Sequence, residues 1–457
     1  MSGGGLPDLP LIRVFGDERT ARLLDSRATI RAWLDTERAL AEVQAELGLI
    51  PADAARQIAE AAEAGAIDED ALAEGTRLVG YPILPLIGQL SRAGSPELAA
   101  YIHWGATTQD IMDTGLALVL GRVFDRVSEL LGEVACAIAG LADTHRATIM
   151  TARTHAQPAV PTTFGAKAAI WLAEFARHRD RLATARRRAC RISLFGAGGT
   201  AAALGDQSQE VRTRMAARLG LGDATVSWHT ARDSLAEAAF VLGAISATCG
   251  KIAREVIDLS RPEIGELREV AGYHRGASST MPQKANPIAS EVVVGMSVLA
   301  AQQVPALIAA MSAGHERAAG EWQIEWDALP LAGSLAAGAL ANTLEILGGL
   351  AVYPDAMRAN LVTDGGTIMA EAVMFRLAPH IGRTAAHDVV YDACSVSRER
   401  RINLHAALEA TLTPEQVALL APLDEVLNPA SYLGEVDAMV NAALAMWGPE
   451  PCREGHA

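Results

Sequence analysis

The chain has 457 residues, half of them hydrophobic but only 4% aromatic, so its core has to be built from Ala, Leu, Val and Ile, which favours close-packed helices. A formal charge of -15 argues against nonspecific binding to nucleic acid, whose phosphates the overall field would repel. The five cysteines, Cys136, Cys190, Cys249, Cys394 and Cys452, form no CxxC pair and read as reduced thiols of a cytoplasmic chain, with neither a disulfide frame nor a metal site.

Taken in chain order, the N-terminus lacks the basic segment, apolar run and small-residue cleavage site of a signal peptide. No proline falls between Pro96 and Pro158, and there Leu116, Leu120, Val123, Val127, Leu130, Val134, Ile138 and Leu141 step by three or four residues. That spacing predicts one long helix, with Asp110 and Asp113 near its start, where acidic groups suit the helix dipole. The run "RRRACR", Arg186 to Arg191, reads as a solvated helix face. "FGAGGTAAALG", Phe195 to Gly205, has no preceding strand and not the GxGxxG spacing, so it reads as a loop or helix junction with backbone amides facing a ligand.

Ser234 to Leu259 is apolar on more than one face, and so is a segment beginning near Pro287. Within the latter, Val292 to Gly314 carries no charge and is long enough to span a bilayer, but Gln302, Gln303 and Pro305 sit in its middle. A buried bundle helix is the expected role, with no membrane contact, and several apolar faces imply subunits assembled into a shared bundle. No alternating strand pattern of convincing length is visible.

Between these segments lie polar islands: "HWGATTQD" (His103 to Asp110), "RTHAQPAVPTT" (Arg153 to Thr163), "WHTARD" (Trp228 to Asp233), "GASSTMPQKANPIASE" (Gly276 to Glu291) and "GHERAAGEWQIEW" (Gly314 to Trp326). Each sits at the end of a long apolar segment, so helices running side by side can bring them into one cleft.

"SSTMPQKANPIASE" resembles the signature segment of the aspartase/fumarase superfamily, and the other islands follow in the family's order over nearly the whole chain. The nearest likeness is to the 3-carboxy-cis,cis-muconate lactonising enzyme and adenylosuccinate lyase branch. The resemblance implies an all-α subunit of three domains, placed at residues 1–106, 107–352 and 353–457, with a central long-helix bundle. It also implies a homotetramer with shared active sites, a small anionic substrate, and a reaction with no metal or organic cofactor.

In such a reaction a proton leaves a carbon beside a carboxylate and a group departs from the neighbouring carbon. The site must stabilise charge that develops only during reaction. By resemblance, Ser278 is the base, activated by a positive field and exclusion of water. Lys284 and Asn286 take the carboxylate that gains charge, and His155 protonates a leaving nitrogen. Thr107, Thr108 and Gln157 hold substrate carboxylates, Arg232 binds substrate, and His103, Ser279 and Met281 join the binding set. Glu291 either orients a catalytic group or caps the following helix, while His229 and His315 serve helix ends or an interface as readily as a ligand.

Two departures bear on the reaction. Lactonising enzymes usually carry an arginine at the position of Ala285, and they tend to lack the histidine at His155 and the glutamate at Glu291. The framework resembles the lactonising branch and the site resembles that of a lyase releasing fumarate or a close analogue, which implies β-elimination from a succinyl-type dicarboxylate, with cycloisomerisation of 3-carboxymuconate as the alternative.

Overall fold

A computed structural model describes residues 15–269 and 274–448. It is 70% helical with few strands, as expected of an all-α chain. The stripe starting at Leu116 lies on a helix of 37 residues, Thr108–Thr144, about 55 Å long. Its members Val123, Val127, Leu130, Val134 and Ile138 are each at most 2% exposed. Four further long helices follow: Phe164–Ala189, Asp233–Leu259, Ile288–Ala310 and Glu321–Gly348.

The chain divides into two compact units. The first takes in the chain as far as Leu131, Arg177–Lys251 and Val292–Asn342, and the second Gly132–Ala176, Ile252–Glu291 and the chain from Thr343 on. In the first, the helix Ser26–Glu46 contributes Ala39, Leu40 and Val43 to a core shared with Ile192, Leu194, Val211 and Met215. In the second, the helices Ala370–Ile381 and Arg383–Arg400 close around Val373, Leu377, Ala386 and Val390. There too, Gly165 opens the helix Phe164–Ala189 where an added Cβ would stand 2.6 Å from the Ala142 carbonyl oxygen, so only glycine permits that approach.

The strand expectation needs correcting. Ile149–Thr154 (β1) and Gln157–Thr163 (β2) form an antiparallel hairpin, and Leu267–Arg268 pairs with Ala351–Val352. Pro158 and Pro161 disguise β2 as a non-strand, and the two-residue turn is His155–Ala156 with φ of 51° and 61°, not the Asn-Gly that advertises such turns.

The uncharged segment is also less buried than expected. By length and composition three helices could cross a membrane, and 72% of the most apolar stretch is buried in Asp233–Leu259 and in Glu321–Gly348. For Ile288–Ala310 the share is 28%. Val298, Leu299 and Ile308 are 46–56% exposed, large apolar side chains that this chain leaves open to solvent.

The basic run is an ion-paired surface, with Arg186 on Asp125 and Arg188 on Glu237. Cys190 and Cys394 are free, and burial pushes the Cys190 thiol up to about 12. Cys136 is disulfide-bonded, which departs from the all-reduced expectation; spacing along a chain does not tell which thiols a fold brings together. Cys452 lies outside the described residues.

Candidate active site

In the first unit three polar segments meet on one carboxylate. Asp110 is the third residue of the Thr108–Thr144 helix, and its Oδ2 accepts the backbone N–H of Thr107 at 3.1 Å, half of a capping box. It also accepts the N–H groups of Phe195 and Gly196, each at 2.8 Å, and the Ser193 hydroxyl at 3.2 Å. His229 Nε2 lies 2.8 Å from its Oδ1. Asp110 is fully buried, and these donors replace the water it has lost. The amides of Phe195 and Gly196 therefore serve an internal carboxylate and not a ligand, contrary to expectation. His229 is 2% exposed and equally internal.

Arg232 lies at the centre of a second network. It is 2% exposed. Its Nη1 and Nη2 donate to the two oxygens of Asp113 at 2.8 and 3.1 Å, Nε donates to Glu325 at 2.8 Å, and Nη2 reaches Glu325 as well. The guanidinium also stands over the Trp228 ring, 4.9 Å from its centroid. Burial works against the charge of Arg232, but the two carboxylates outweigh it and hold the group cationic. Burial pushes the Glu325 carboxyl up against the pull of Arg232, because two buried acids share one cation. Arg232 spends its donors inside the subunit, as a structural ion centre does. The substrate-binding role implied for it by resemblance finds no open donor here.

Thr107 has a neighbour that sequence reasoning did not single out. Arg317 donates from Nε to Gln109 Oε1 at 3.0 Å, and from Nη2 to Thr107 Oγ1 at 3.1 Å and to the Ala197 carbonyl at 3.3 Å. Gln109 in turn donates to Asp113 at 3.1 Å and to the His229 carbonyl at 2.8 Å. Thr107 is thus wired through Gln109 to the Arg232 network, with a half-buried cation beside it. The signal available in sequence was a lone arginine in a polar island between Gly314 and Gly320. Thr108, half-buried, opens the long helix, and His103 sits just before it with Nδ1 2.6 Å from Glu37 Oε1.

A cavity of about 310 Å³ in this unit is walled by Trp33, Met112, Leu116, Trp322 and Trp326. Of the polar residues just described only Asp113 borders it, so its apolar lining does not suit a dicarboxylate.

In the second unit His155 and Gln157 sit at the tip of the β1–β2 hairpin, both exposed. The hairpin is anchored by Arg153, which binds the fully buried Glu266 through two bonds of 3.0 and 2.6 Å. Asn360 Nδ2 donates to the same carboxylate at 2.7 Å. This bidentate pair fixes the hairpin one rung from its turn, so the backbone that carries His155 and Gln157 is held without using either of their side chains.

The signature segment forms a pinched loop. Gly276 and Asn286 close it: Asn286 donates its backbone N–H and its Nδ2–H to the Gly276 carbonyl at 2.9 and 3.0 Å. Gly276 has φ of 66°, and a Cβ there would stand 2.3 Å from the Asn286 carbonyl oxygen. Asn286 thus closes the loop, in addition to the carboxylate contact implied by resemblance. Ser278 Oγ accepts the N–H of Thr280 at 3.3 Å and of Met281 at 3.2 Å, contacts confined to its own turn. Ser279, Met281 and Lys284 are exposed, and among the described residues the side chains of Lys284 and His155 have no hydrogen-bond partner. The next helix is capped by the buried Glu269, which accepts the N–H of Ser290 at 2.7 Å and of Ala289 at 3.3 Å. Capping was one of two roles open to Glu291; Glu269 performs it.

Comparison with known proteins adds the family. A lyase family model matches residues 18–301, and an adenylosuccinate lyase C-terminus model matches 366–443. The chain is 37% identical over 449 residues to trans-aconitate decarboxylase 1 of Mycosarcoma maydis, covering 96% of this chain and 90% of that one. It is 41% identical over 441 residues to a 3-carboxy-cis,cis-muconate cycloisomerase of Pseudomonas aeruginosa, covering 95% and 94%. Among solved structures, a fumarate lyase from Mesorhizobium sp. BNC1 matches with a TM-score of 0.88 at 39% identity, covering 94% of this chain and 98% of that one. With these matches and the fold and polar segments above, the chain belongs to the lyase family of the aspartase/fumarase superfamily and is an enzyme of that family.

Proposed function

We propose that this enzyme catalyses β-elimination from a succinyl-type dicarboxylate, breaking a carbon–nitrogen or similar bond and releasing fumarate or a close analogue. The observation that carries the reading is which side chains are left uncommitted. Lys284 and His155 have no hydrogen-bond partner among the described residues, and Ser278 is engaged only within its own turn. An electrostatic partner, an acid and a base are what removal of a proton beside a carboxylate and protonation of a leaving group require.

The names of the relatives support the substrate class: aconitate, carboxymuconate and fumarate are all unsaturated acids with more than one carboxylate. Cycloisomerisation of 3-carboxymuconate is the second reading, favoured by the 41% identity to an enzyme of that name. His155, Glu291 and Ala285 favour elimination. Incubation with a panel of succinyl-amines, succinyl-thioethers and nitrosuccinate, read by the ultraviolet absorbance of fumarate, tests the first reading, and loss of 3-carboxymuconate tests the second. Muconate consumption without fumarate from any panel member would reverse the order.

We also propose that the exposed apolar side chains of Ile288–Ala310 are buried against other copies of the chain, in the homotetramer that the resemblance implies. Covering Val298, Leu299 and Ile308 removes apolar area from water in the way an obligate interface does. A stable monomer in sedimentation at micromolar concentration would rule the shared-site assembly out.

A further inference from the structure

His103 is held by the loop that precedes the Thr108–Thr144 helix, in a left-handed backbone conformation with φ of 61°. Among the described residues the one polar partner of its ring is Glu37, whose Oε1 lies 2.6 Å from Nδ1. Nε2 makes no hydrogen bond with any described residue. Glu37 belongs to the helix Ser26–Glu46 and is 1% exposed, and its second oxygen, Oε2, is buried with no hydrogen-bond partner. The same helix fixes the next residue of the loop, since Gln44 Nε2 donates to the Trp104 carbonyl at 2.7 Å.

A buried carboxylate with one unsatisfied oxygen is costly as a purely structural anchor, and a neutral glutamine would make the bond to the ring without burying a charge. The arrangement makes sense when the ring carries a proton on both nitrogens, because an imidazolium offsets the buried charge.

We propose that Glu37 is a positioning residue for His103: it holds the Nδ1–H, sets the ring plane, and so presents an Nε2–H to an anionic group of the substrate. Its anion-binding half rests on the dicarboxylate reading above; the Glu37–His103 pair itself does not. Burial alone would pull the imidazole toward its neutral form, but the charge and hydrogen bond of Glu37, with the charge of Asp110, outweigh it, and His103 titrates above its ordinary value. Glu37, from one helix, and Asp110, at the start of another, are the charged groups acting on the ring. Asp110 has its own donors in Thr107, Ser193, Phe195, Gly196 and His229, so it is not free to take over from Glu37.

The direction of the pH effect follows. The cationic form is fully present below the ordinary histidine value and is lost as pH rises through the elevated one. Glu37→Gln removes the charge that raises it, so the loss moves to lower pH. Diethyl pyrocarbonate acylates only the neutral imidazole, and peptide mass spectrometry reads its rate at His103 against pH without any substrate. The expected result is a midpoint that is high in the wild type, falls in E37Q, and is restored toward wild type in E37D, with thermal midpoints recorded for each variant.

In parallel, calorimetric titration with succinate at neutral pH should show about 10- to 100-fold weaker binding in E37Q and in H103Q, and no further loss in the double variant. Midpoints that coincide in wild type and E37Q overturn the proposal, as do succinate losses that simply add in the double variant. A midpoint shift in a protein that binds neither succinate nor fumarate would uphold the pair and overturn the dicarboxylate reading instead.

Discussion

Arg232 and Ser278 both come from polar islands that resemble the same family's active site, but the structure treats them in opposite ways. Arg232 is 2% exposed and binds Asp113 and Glu325, and nearby Asp110 is equally saturated. Ser278 sits on a loop tied to itself by Asn286 on Gly276, a bridge between Ala277 and Ala285, the Lys284 N–H on the Met281 carbonyl, and its own hydroxyl within its turn, with Lys284 exposed nearby in sequence. One region is a scaffold of buried charge and the other holds its polar groups in reserve. Removing a buried partner exposes the scaffold's desolvation cost, whereas removing a reserved group costs nothing until substrate arrives.

The largest effect expected from this contrast is on turnover. Ser278→Ala should lower kcat by about 10²- to 10⁴-fold, the range of a lost general base, with an unchanged unfolding midpoint in urea. Near-normal kcat would reduce the segment to a surface loop, and the contrast would collapse.

Arg232→Met should do the reverse. It leaves Asp113 and Glu325 buried together without their cation, a loss of about 3–5 kcal/mol of stability by denaturant titration. A variant as stable as the wild type but with a raised KM would show that Arg232 reaches substrate after all.

Gly276→Ala sharpens the comparison within the loop. The added Cβ meets the Asn286 backbone, and φ of 66° is strained for alanine, by about 1–3 kcal/mol. Because the Asn286, Ala277–Ala285 and Lys284 ties are local to the loop, that strain should appear as lower kcat, with a thermal midpoint close to wild type. Full activity would mean that the pinched shape is not the working one.

Much of this was legible along the chain. The proline-free run and its three- and four-residue steps define the Thr108–Thr144 helix, because helical periodicity is a local property and only a buried stripe selects it. The signature segment is legible for a similar reason: its residues are neighbours in sequence. The β1–β2 hairpin was not, since His155–Ala156 takes a turn that usually needs asparagine and glycine, and the Arg153 pair with Glu266 is what anchors it, across more than a hundred residues. Arg317 was passed over because nothing adjacent marks it; its partners Gln109, Thr107 and Ala197 lie far back in the chain.

By itself the sequence determined the helical class, the likeness to a family and the kinds of side chain available for the chemistry, all of which depend on local pattern. Which of those side chains are spent was decided only by the tertiary structure. Asp110 and Asp113, read as helix-dipole partners, became the centres of two buried networks, because a carboxylate removed from water must collect donors wherever the fold brings them. Lys284 and His155 stayed uncommitted because the loop and the hairpin tip place them where no other described residue offers a partner.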